Sequence, residues 1–321
     1  MMRFFSVDWG TSSLRVRLVE ITDNSISVLH ERSNHYGCSY VFDLFKSEKD
    51  NIVREDYFLN FLRPYLVIPD MYNDKTIPVV ISGMATSSIG IRELPYAPLP
   101  FVCDGSSLQY DIIPHNSKFG HDVLLLSGLC STNDVMRGEE TQLLGLLSYN
   151  HSTEALFILP GTHSKHIWVS ENNIISFKTY ITGELFQILS NYSLLKNNIV
   201  KPSSMDKEAF KKGLALSREN LLHNVFTIRA SSLLHAMESS ANYSLLSGLL
   251  IGTELRDITA SNIPIYLCAH ANLSVSYALA IQELSLQQRC TIVPPEQVDK
   301  SVIYGQKKIL ERVWNQLEAL K

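Results

Sequence analysis

An excess of basic charge is the first thing this sequence lacks. Its 28 Lys and Arg stand against 32 Asp and Glu, for a net charge of −4 with histidine neutral. Such a chain has no broad positive field for nucleic acid or for an anionic lipid surface. A small anionic ligand remains compatible, because local clusters matter more than the total. Cysteine is also sparse. Cys38, Cys103, Cys130, Cys268 and Cys290 are widely spaced, odd in number and form no CxxC pair, which argues against a disulfide framework or a zinc site and fits a reducing compartment. No run approaches the roughly 18 consecutive apolar residues of a membrane span, and the few apolar residues before Asp8 are too short for a secretory core. The P-loop pattern GxxxxGK[ST] is missing as well. These absences lead us to expect a soluble cytoplasmic protein with neither nucleic acid nor membrane as a partner.

What is present suits two domains. The chain has 321 residues, 45% of them hydrophobic and 19% charged, a globular profile and a length that favours two cores of about 150 residues over one. We set the domains at 1–150 and 151–321. The opening stretch is an apolar strand, Phe4 to Val7, that ends on Asp8 and enters Trp9-Gly10-Thr11-Ser12-Ser13. Leu14, Val16 and Leu18 then alternate with Arg15 and Arg17, the period of a half-exposed strand. A turn of one Gly and three hydroxyl residues leaves backbone N–H groups and hydroxyls pointing one way, a cradle for phosphate oxygens. Asp8 beside it suits magnesium held through water. An ordinary hairpin with a polar tip reads equally well at this point. Ser25 to His30, reached through Thr22-Asp23-Asn24, completes three sequential antiparallel strands.

Further along, a helix is expected over roughly 54–65, short buried strands at 78–81 and 123–126, and an extended loop across the prolines at 95–100. Ser82-Gly83-Met84-Ala85-Thr86-Ser87-Ser88 is a second turn of small polar groups. Gly138-Glu139-Glu140, followed by a Leu-rich run, has the form of a helix start. The polar patch at 149–153 marks the junction. After it, strand, Gly-Thr turn, strand, polar turn and strand recur: 155–159, Pro160-Gly161-Thr162-His163-Ser164-Lys165, 166–169 and 174–177. The remainder reads as helices over about 183–196, 206–219, 241–258, 273–287 and 301–319, with strands at 264–268 and 291–293.

Asp8 to Arg15 is similar to the first phosphate motif of sugar kinases in the actin, Hsp70 and hexokinase superfamily. Pro160 to Lys165 resembles the second, and Gly138 to Gly145 resembles the start of the helix that carries their catalytic carboxylate. The resemblance narrows to the 2-dehydro-3-deoxygalactonokinases on Val7-Asp8-Trp9-Gly10, Ser82-Gly83-Met84, Gly128-Leu129-Cys130, Val135 to Gln142 (VMRGEETQ), Pro160-Gly161-Thr162-His163, Thr182-Gly183-Glu184-Leu185, Arg229-Ala230-Ser231 and Ser247 to Gly252. These pieces span residues 7 to 252 in family order, and MRGEETQ with PGTH is the specific pair.

The resemblance implies an α/β fold of two ribonuclease H-like domains. Each would be a mixed sheet opening with three antiparallel strands and flanked by helices, with a cleft between the domains. It also implies ATP and Mg²⁺ as cofactors and phosphorylation of the 6-hydroxyl of 2-dehydro-3-deoxy-D-galactonate, a step of galactonate catabolism. Glu139 is then the first candidate for the base, Glu140 the second and Asp134 the third; adjacent acids at a helix start also serve as simple dipole partners. Asp8 would hold Mg²⁺ through water. Gly10, Thr11, Ser12, Ser13 and Arg15, with Gly161, Thr162, His163 and Lys165, would meet the phosphates, although His163 also reads as a structural histidine and Lys165 as an exposed strand lysine. Ala269, His270 and Asn272 fall on the adenosine side. Ser82, Gly83, Met84 and Ser87 would shape the sugar end. Arg137 and Arg229 are candidates for the substrate carboxylate, since a guanidinium fork suits it, and either also reads as an ion-pair member. Glu184 would bind a sugar hydroxyl or cap its helix. A homodimer is compatible with all of this.

The chain departs from the family pattern at His270, where a Gly is usual. Thr86, Ser88 and Ile91 also replace common residues. A bulky residue at 270 disfavours positive φ and close approach of a nucleotide. The alternatives these changes raise are a non-catalytic sugar-acid sensor and a kinase for another keto-deoxy acid.

Overall fold

Four successive residues of the first strand, Phe4 to Val7, are buried. A strand covered on both faces belongs in the middle of a sheet, and the computed structural model places it there. The structure describes residues 2–22, 25–49, 51–68, 77–150, 152–234 and 237–319, with side chains through Val313. Asp23 and Asn24 of the expected turn, and His151 of the expected junction, lie outside them.

The elements run β1 (Met2–Trp9), β2 (Leu14–Thr22), β3 (Ser25–Asn34), α1 (Cys38–Ser47), α2 (Arg54–Leu62), β4 (Val79–Gly83), β5 (Ala97–Pro98), β6 (Phe101–Val102), β7 (Tyr110–Ile113), β8 (Val123–Leu126), β9 (Leu129–Cys130), β10 (Val135–Met136) and α3 (Glu139–Leu146). They continue with β11 (Glu154–Leu159), β12 (Ser164–Ser170), β13 (Asn173–Tyr180), α4 (Thr182–Tyr192), α5 (Lys207–Leu216), α6 (Leu221–Leu234), α7 (Ser239–Leu255), β14 (Ile265–Leu267), α8 (Ala271–Glu283), β15 (Cys290–Ile292) and α9 (Pro295–Ala319).

Contacts gather the chain into two units rather than splitting it at one point near residue 150. The first comprises Met1–Ser148, Asn172–Ser176 and Asp299–Lys321, and the second Tyr149–Glu171 and Phe177–Val298. In the first, the sheet runs β3-β2-β1-β4-β8-β7, with β1 antiparallel to β2 and parallel to β4, and β4 parallel to β8. In the second, the order is β13-β12-β11-β14-β15, with β11 antiparallel to β12 and parallel to β14, and β14 parallel to β15. Both therefore carry the order 3-2-1-4-5 of the expected ribonuclease H-like fold. β13 begins among residues that group with the first unit, where Asn173 and Ile174 pair with Val102 and Phe101.

Helix α9 joins the first unit through bare backbone. A Cβ on Gly305 would lie 1.9 Å from Thr141 O, and one on Gly145 would lie 1.9 Å from Ser301 O, so α3 and α9 cross at a distance only glycine permits. The same device, Gly213 against Leu245 O and Gly248 against Phe210 O, brings α5 onto α7 in the second unit. Each unit has its own core. Phe5, Val7, Trp9, Val79, Ile81 and Val123 belong to the first core, and Leu156, Ile158, Ile265, Leu267 and Tyr277 to the second.

Two helices were not expected. In α1, Tyr40, Val41 and Phe42 favour strand locally. In α6, Leu222, Phe226 and Leu233 lie exposed on the face opposite buried Ile228, so hydrophobicity surrounds the helix and gives no clear period.

Candidate functional site

The first unit gathers its candidates at the end of β1. Trp9 is wholly buried, its ring 5.5 Å from that of Phe58, and Nε1 donates to Tyr36 O at 3.1 Å. This anchor fixes the strand end; removing such a ring costs about 3–5 kcal/mol. Asp8, half-buried, stands in register between Arg15 and Ser82. Beyond it, the Gly10 amide donates to Ser13 O at 2.9 Å and closes the turn, leaving Thr11, Ser12 and Ser13 exposed. The turn's own carbonyls are occupied. Cys38 N–H donates to Gly10 O at 2.9 Å and Ser39 N–H to Thr11 O at 3.2 Å, so orphan amides of α1 seat the turn. Gly37 must be bare, since its Cβ would lie 2.2 Å from Thr11 O. Burial, and secondarily the Asp8 charge, raise the pKa of the Cys38 thiol and keep it protonated.

Two glycines bring the start of α3 to the same place. Gly83 has φ +91°, and a Cβ there would lie 2.7 Å from Trp9 O and 3.6 Å from Asp8 Oδ1; Gly138 has φ +110° and would place its Cβ 3.3 Å from Gly83 Cα. Both positions need glycine on conformation as well as space. The acids that follow divide their roles. Glu140 is fully buried, accepts the Gly138 N–H at 2.8 Å and the Thr141 hydroxyl at 2.9 Å, and so caps its own helix. Burial, then the neighbouring Glu139 charge, push its pKa up to about 7. That value would suit a base, but both oxygens face inward, so accessibility decides against it. Glu139 is half-buried and accepts the Arg137 N–H at 3.1 Å. Asp134 sits in the β9–β10 turn, where it accepts the Val135 N–H at 2.8 Å.

The sugar-side candidates form a braced wall. Arg137 donates from Nη1 to Thr86 Oγ1 at 2.7 Å and from Nη2 to Leu94 O at 3.2 Å, and it lies 4.1 Å over the Tyr96 ring; its Nε is buried with no partner. Thr86 in turn donates to Leu126 O at 2.7 Å. Ser87 donates to Met84 O at 2.7 Å, which shapes the turn around Met84. Ser82 is held by Gln306 of α9, whose Nε2 donates to Ser82 Oγ and to Val7 O, each at 2.9 Å. Arg15 pairs with Asp299 of α9 at 2.5 Å, and Arg17, 3% exposed, shares the same carboxylate and pairs with Glu31.

In the second unit the turn 160–164 lies between the paired Leu159 and Lys165. A Cβ on Gly161 would meet nothing within 4 Å, so that face is open, and Thr162 and His163 are exposed. Lys165, by contrast, is 4% exposed and donates to His163 O at 3.2 Å. The start of α4 seats this turn: Gly183 would place its Cβ 2.5 Å from Gly161 O, and Glu184 N–H donates to Thr162 O at 3.0 Å. The Glu184 carboxylate pairs with His163 at 2.7 Å, which puts it beside the 160–164 turn. Arg229 donates to Asn198 Oδ1 at 2.7 Å on α6. Ala269 is buried; His270 is exposed with φ −63° and ψ 158°, and its carbonyl accepts the Leu273 and Ser274 amides that open α8. Extended backbone of this kind suits any residue, so the histidine introduces no strain. Asn272 is exposed in the first turn of α8.

A profile of the 2-keto-3-deoxy-galactonokinase family matches residues 8–300. The chain belongs to that family. It is 31% identical over 294 residues to the 2-dehydro-3-deoxygalactonokinase of Escherichia coli (strain K12), covering 88% of this chain and 90% of the relative. It is 28% identical to the DgoK1 protein of Rhizobium meliloti (strain 1021), provisionally given the same name, over 97% of each chain. A crystal structure of a Sinorhizobium meliloti protein, again provisionally so named, superposes with a TM-score of 0.80 at 27% identity, covering 97% of both chains.

Within this galactonokinase-family chain, Gln306 and Asp299 escaped the reading of the sequence. Their partners are on strands 224 to 299 residues earlier in the chain, and α9 carries no motif to mark them. Gly37 left a fainter signal, a glycine immediately before a helix.

Proposed function

We propose that this chain transfers the γ-phosphoryl group of ATP to the 6-hydroxyl of 2-dehydro-3-deoxy-D-galactonate. The observation that carries the reading is the convergence of Asp8, Ser82, Gly83 and the start of α3 through two positive-φ glycines. The substrate hydroxyl oxygen attacks the γ-phosphorus in line; the new O–P bond forms as the bond to the β-bridging oxygen breaks, and ADP leaves. Glu139 takes the hydroxyl proton, a contribution of about 10²–10⁴-fold, and positioning and charge neutralisation supply the rest. Ser82, Met84 and Ser87 shape the acid's end of the site. Arg137, its Nη1 and Nη2 held by Thr86 and Leu94 and its Nε buried, braces the turn behind that end. In the first unit the exposed turn at 10–13, and in the second the open turn at 161–163, each suit nucleotide phosphates, and Ala269, His270 and Asn272 suit the adenosine.

Asp8 fits Mg²⁺. Among the described residues no cluster of three or more His, Cys, Asp and Glu is arranged to hold a metal, and Mg²⁺ in kinases takes one or two carboxylates with water and substrate phosphates. When bound it would neutralise charge on the β- and γ-phosphates. Among the described residues no helix is long and apolar enough to cross a membrane, and the use of ATP supports a cytoplasmic site of action. The test is ADP release with 2-dehydro-3-deoxy-D-galactonate against a panel of related keto-deoxy acids, with the product's phosphate located by ³¹P–¹H correlation. Turnover of this acid with phosphate on C6 is the expected result. No turnover with any acid that binds would overturn it.

A further inference from the structure

The second unit holds a buried carboxylate that the reaction above does not employ. Glu254, on α7, is 2% exposed, and an ionised carboxylate offers about four acceptor positions. All are taken. Oε1 accepts from Ser164 Oγ at 2.7 Å and from His166 Nε2 at 3.0 Å, while Oε2 accepts from Thr182 Oγ1 at 2.5 Å and Tyr277 Oη at 2.8 Å. An acceptor-only carboxylate requires the His166 proton on Nε2. Burial, then the Glu254 charge, hold the Tyr277 phenol far above its ordinary pKa, so it stays a donor.

The four donors come from the second turn, the strand that leaves it and two helices. Ser164 is the turn's last residue, and His166 follows Lys165 in β12. Thr182 precedes Gly183, which lies against Gly161 O. Tyr277 is on α8, the helix opened by the His270 carbonyl. A buried charge costs several kcal/mol unless it is fully hydrogen-bonded, and here the bonds that offset that cost fix the turn, the helix that seats it and the helix beside it.

We propose that Glu254 is a positioning residue for the nucleotide. Through Ser164 and Thr182 it holds the 160–164 turn and the start of α4 in the arrangement that meets the phosphates. This rests on reading that turn as a nucleotide site. Glu254→Gln keeps the size but offers one carbonyl oxygen and an NH₂ that faces groups already donating. The expected result is an ADP dissociation constant raised about tenfold by calorimetry, with the KM of the sugar acid changed less than about twofold. Tyr277→Phe removes one donor and should weaken ADP about threefold. Thr162→Val separates the two levels. If it weakens ADP binding while Glu254→Gln only lowers the melting temperature, the turn binds nucleotide and Glu254 is merely structural, which overturns the proposal. If neither variant changes ADP binding, the phosphate reading of the turn falls and the proposal with it. Should Glu254→Gln not fold, Tyr277→Phe and Ser164→Ala decide the matter by the same criterion.

Discussion

The two Gly-Thr turns are seated alike and surrounded differently. In each, a helix start lends amides to the turn's carbonyls, and a glycine there lets the backbones meet: Gly37 over Thr11 O, Gly183 over Gly161 O. The residues preceding the turns diverge. The first follows a carboxylate, Asp8, and shares its sheet with the Arg15, Arg17, Asp299 and Glu31 network. The second follows Leu159, opens on Pro160 and rests on the enclosed Glu254 hub. Register differs too: four residues lie between the paired Trp9 and Leu14, five between Leu159 and Lys165. The repeated scaffold keeps its mechanical support in both turns and differs in the charge around them, a half-buried carboxylate before the first and an enclosed one behind the second.

That division can be broken in graded steps. If the chemistry belongs with the first turn, Glu139→Gln should cut kcat by about 10²–10⁴-fold with nucleotide affinity retained; unchanged kcat would remove Glu139 as the base. If the seating is truly shared, Gly37→Ala and Gly183→Ala should each destabilise by about 1–3 kcal/mol from overpacking, read in denaturant melts. A large loss in one and none in the other would end the parallel. The first copy should show a pH signature between about 4.5 and 7. Glu140 holds its proton more tightly folded than unfolded, about 7 against 4.5. Stability should therefore fall as pH rises between those values, by on the order of 1–3 kcal/mol, and level off above. Glu140→Gln should flatten the profile; an unaltered slope would contradict the assignment. The smallest effect is at the rim of the second turn. His163 and Glu184 are nearly half exposed, at 48% and 45%, so His163→Gln should cost less than about 1 kcal/mol.

Much of the scaffold was legible because its signals are local. Apolar strands, polar turns between them and the repeat at 155 mark the three antiparallel strands that open each unit, and the acids after Gly138 mark the start of α3; the full strand order and the capping role of Glu140 come from the structure. What escaped depends on distant partners. Lys165 reads as a phosphate contact or an exposed strand lysine, and it is buried, because β12 is covered on both faces where it leaves the turn. Arg15 reads as a phosphate ligand, and its ion pair with Asp299 is invisible without knowing that α9 passes β2. His270 was suspect on the assumption of a left-handed backbone, and the observed φ of −63° removes that objection. Glu254 lies in a Leu-rich run that says core, and nothing in the run announces a hub.

The placement of α9 has a consequence for synthesis. Residues 299–319 complete a unit whose other parts are made far earlier, while the second unit lies between them in the chain. At about 5–20 residues per second, the stretch from 149 to 298 takes on the order of 10 s to emerge. Throughout that interval Arg17 lacks Asp299, Ser82 lacks Gln306, and the groove that Gly145 leaves for α9 stands open. The nascent first unit must wait, incomplete, for a helix that arrives only after the second unit has been made.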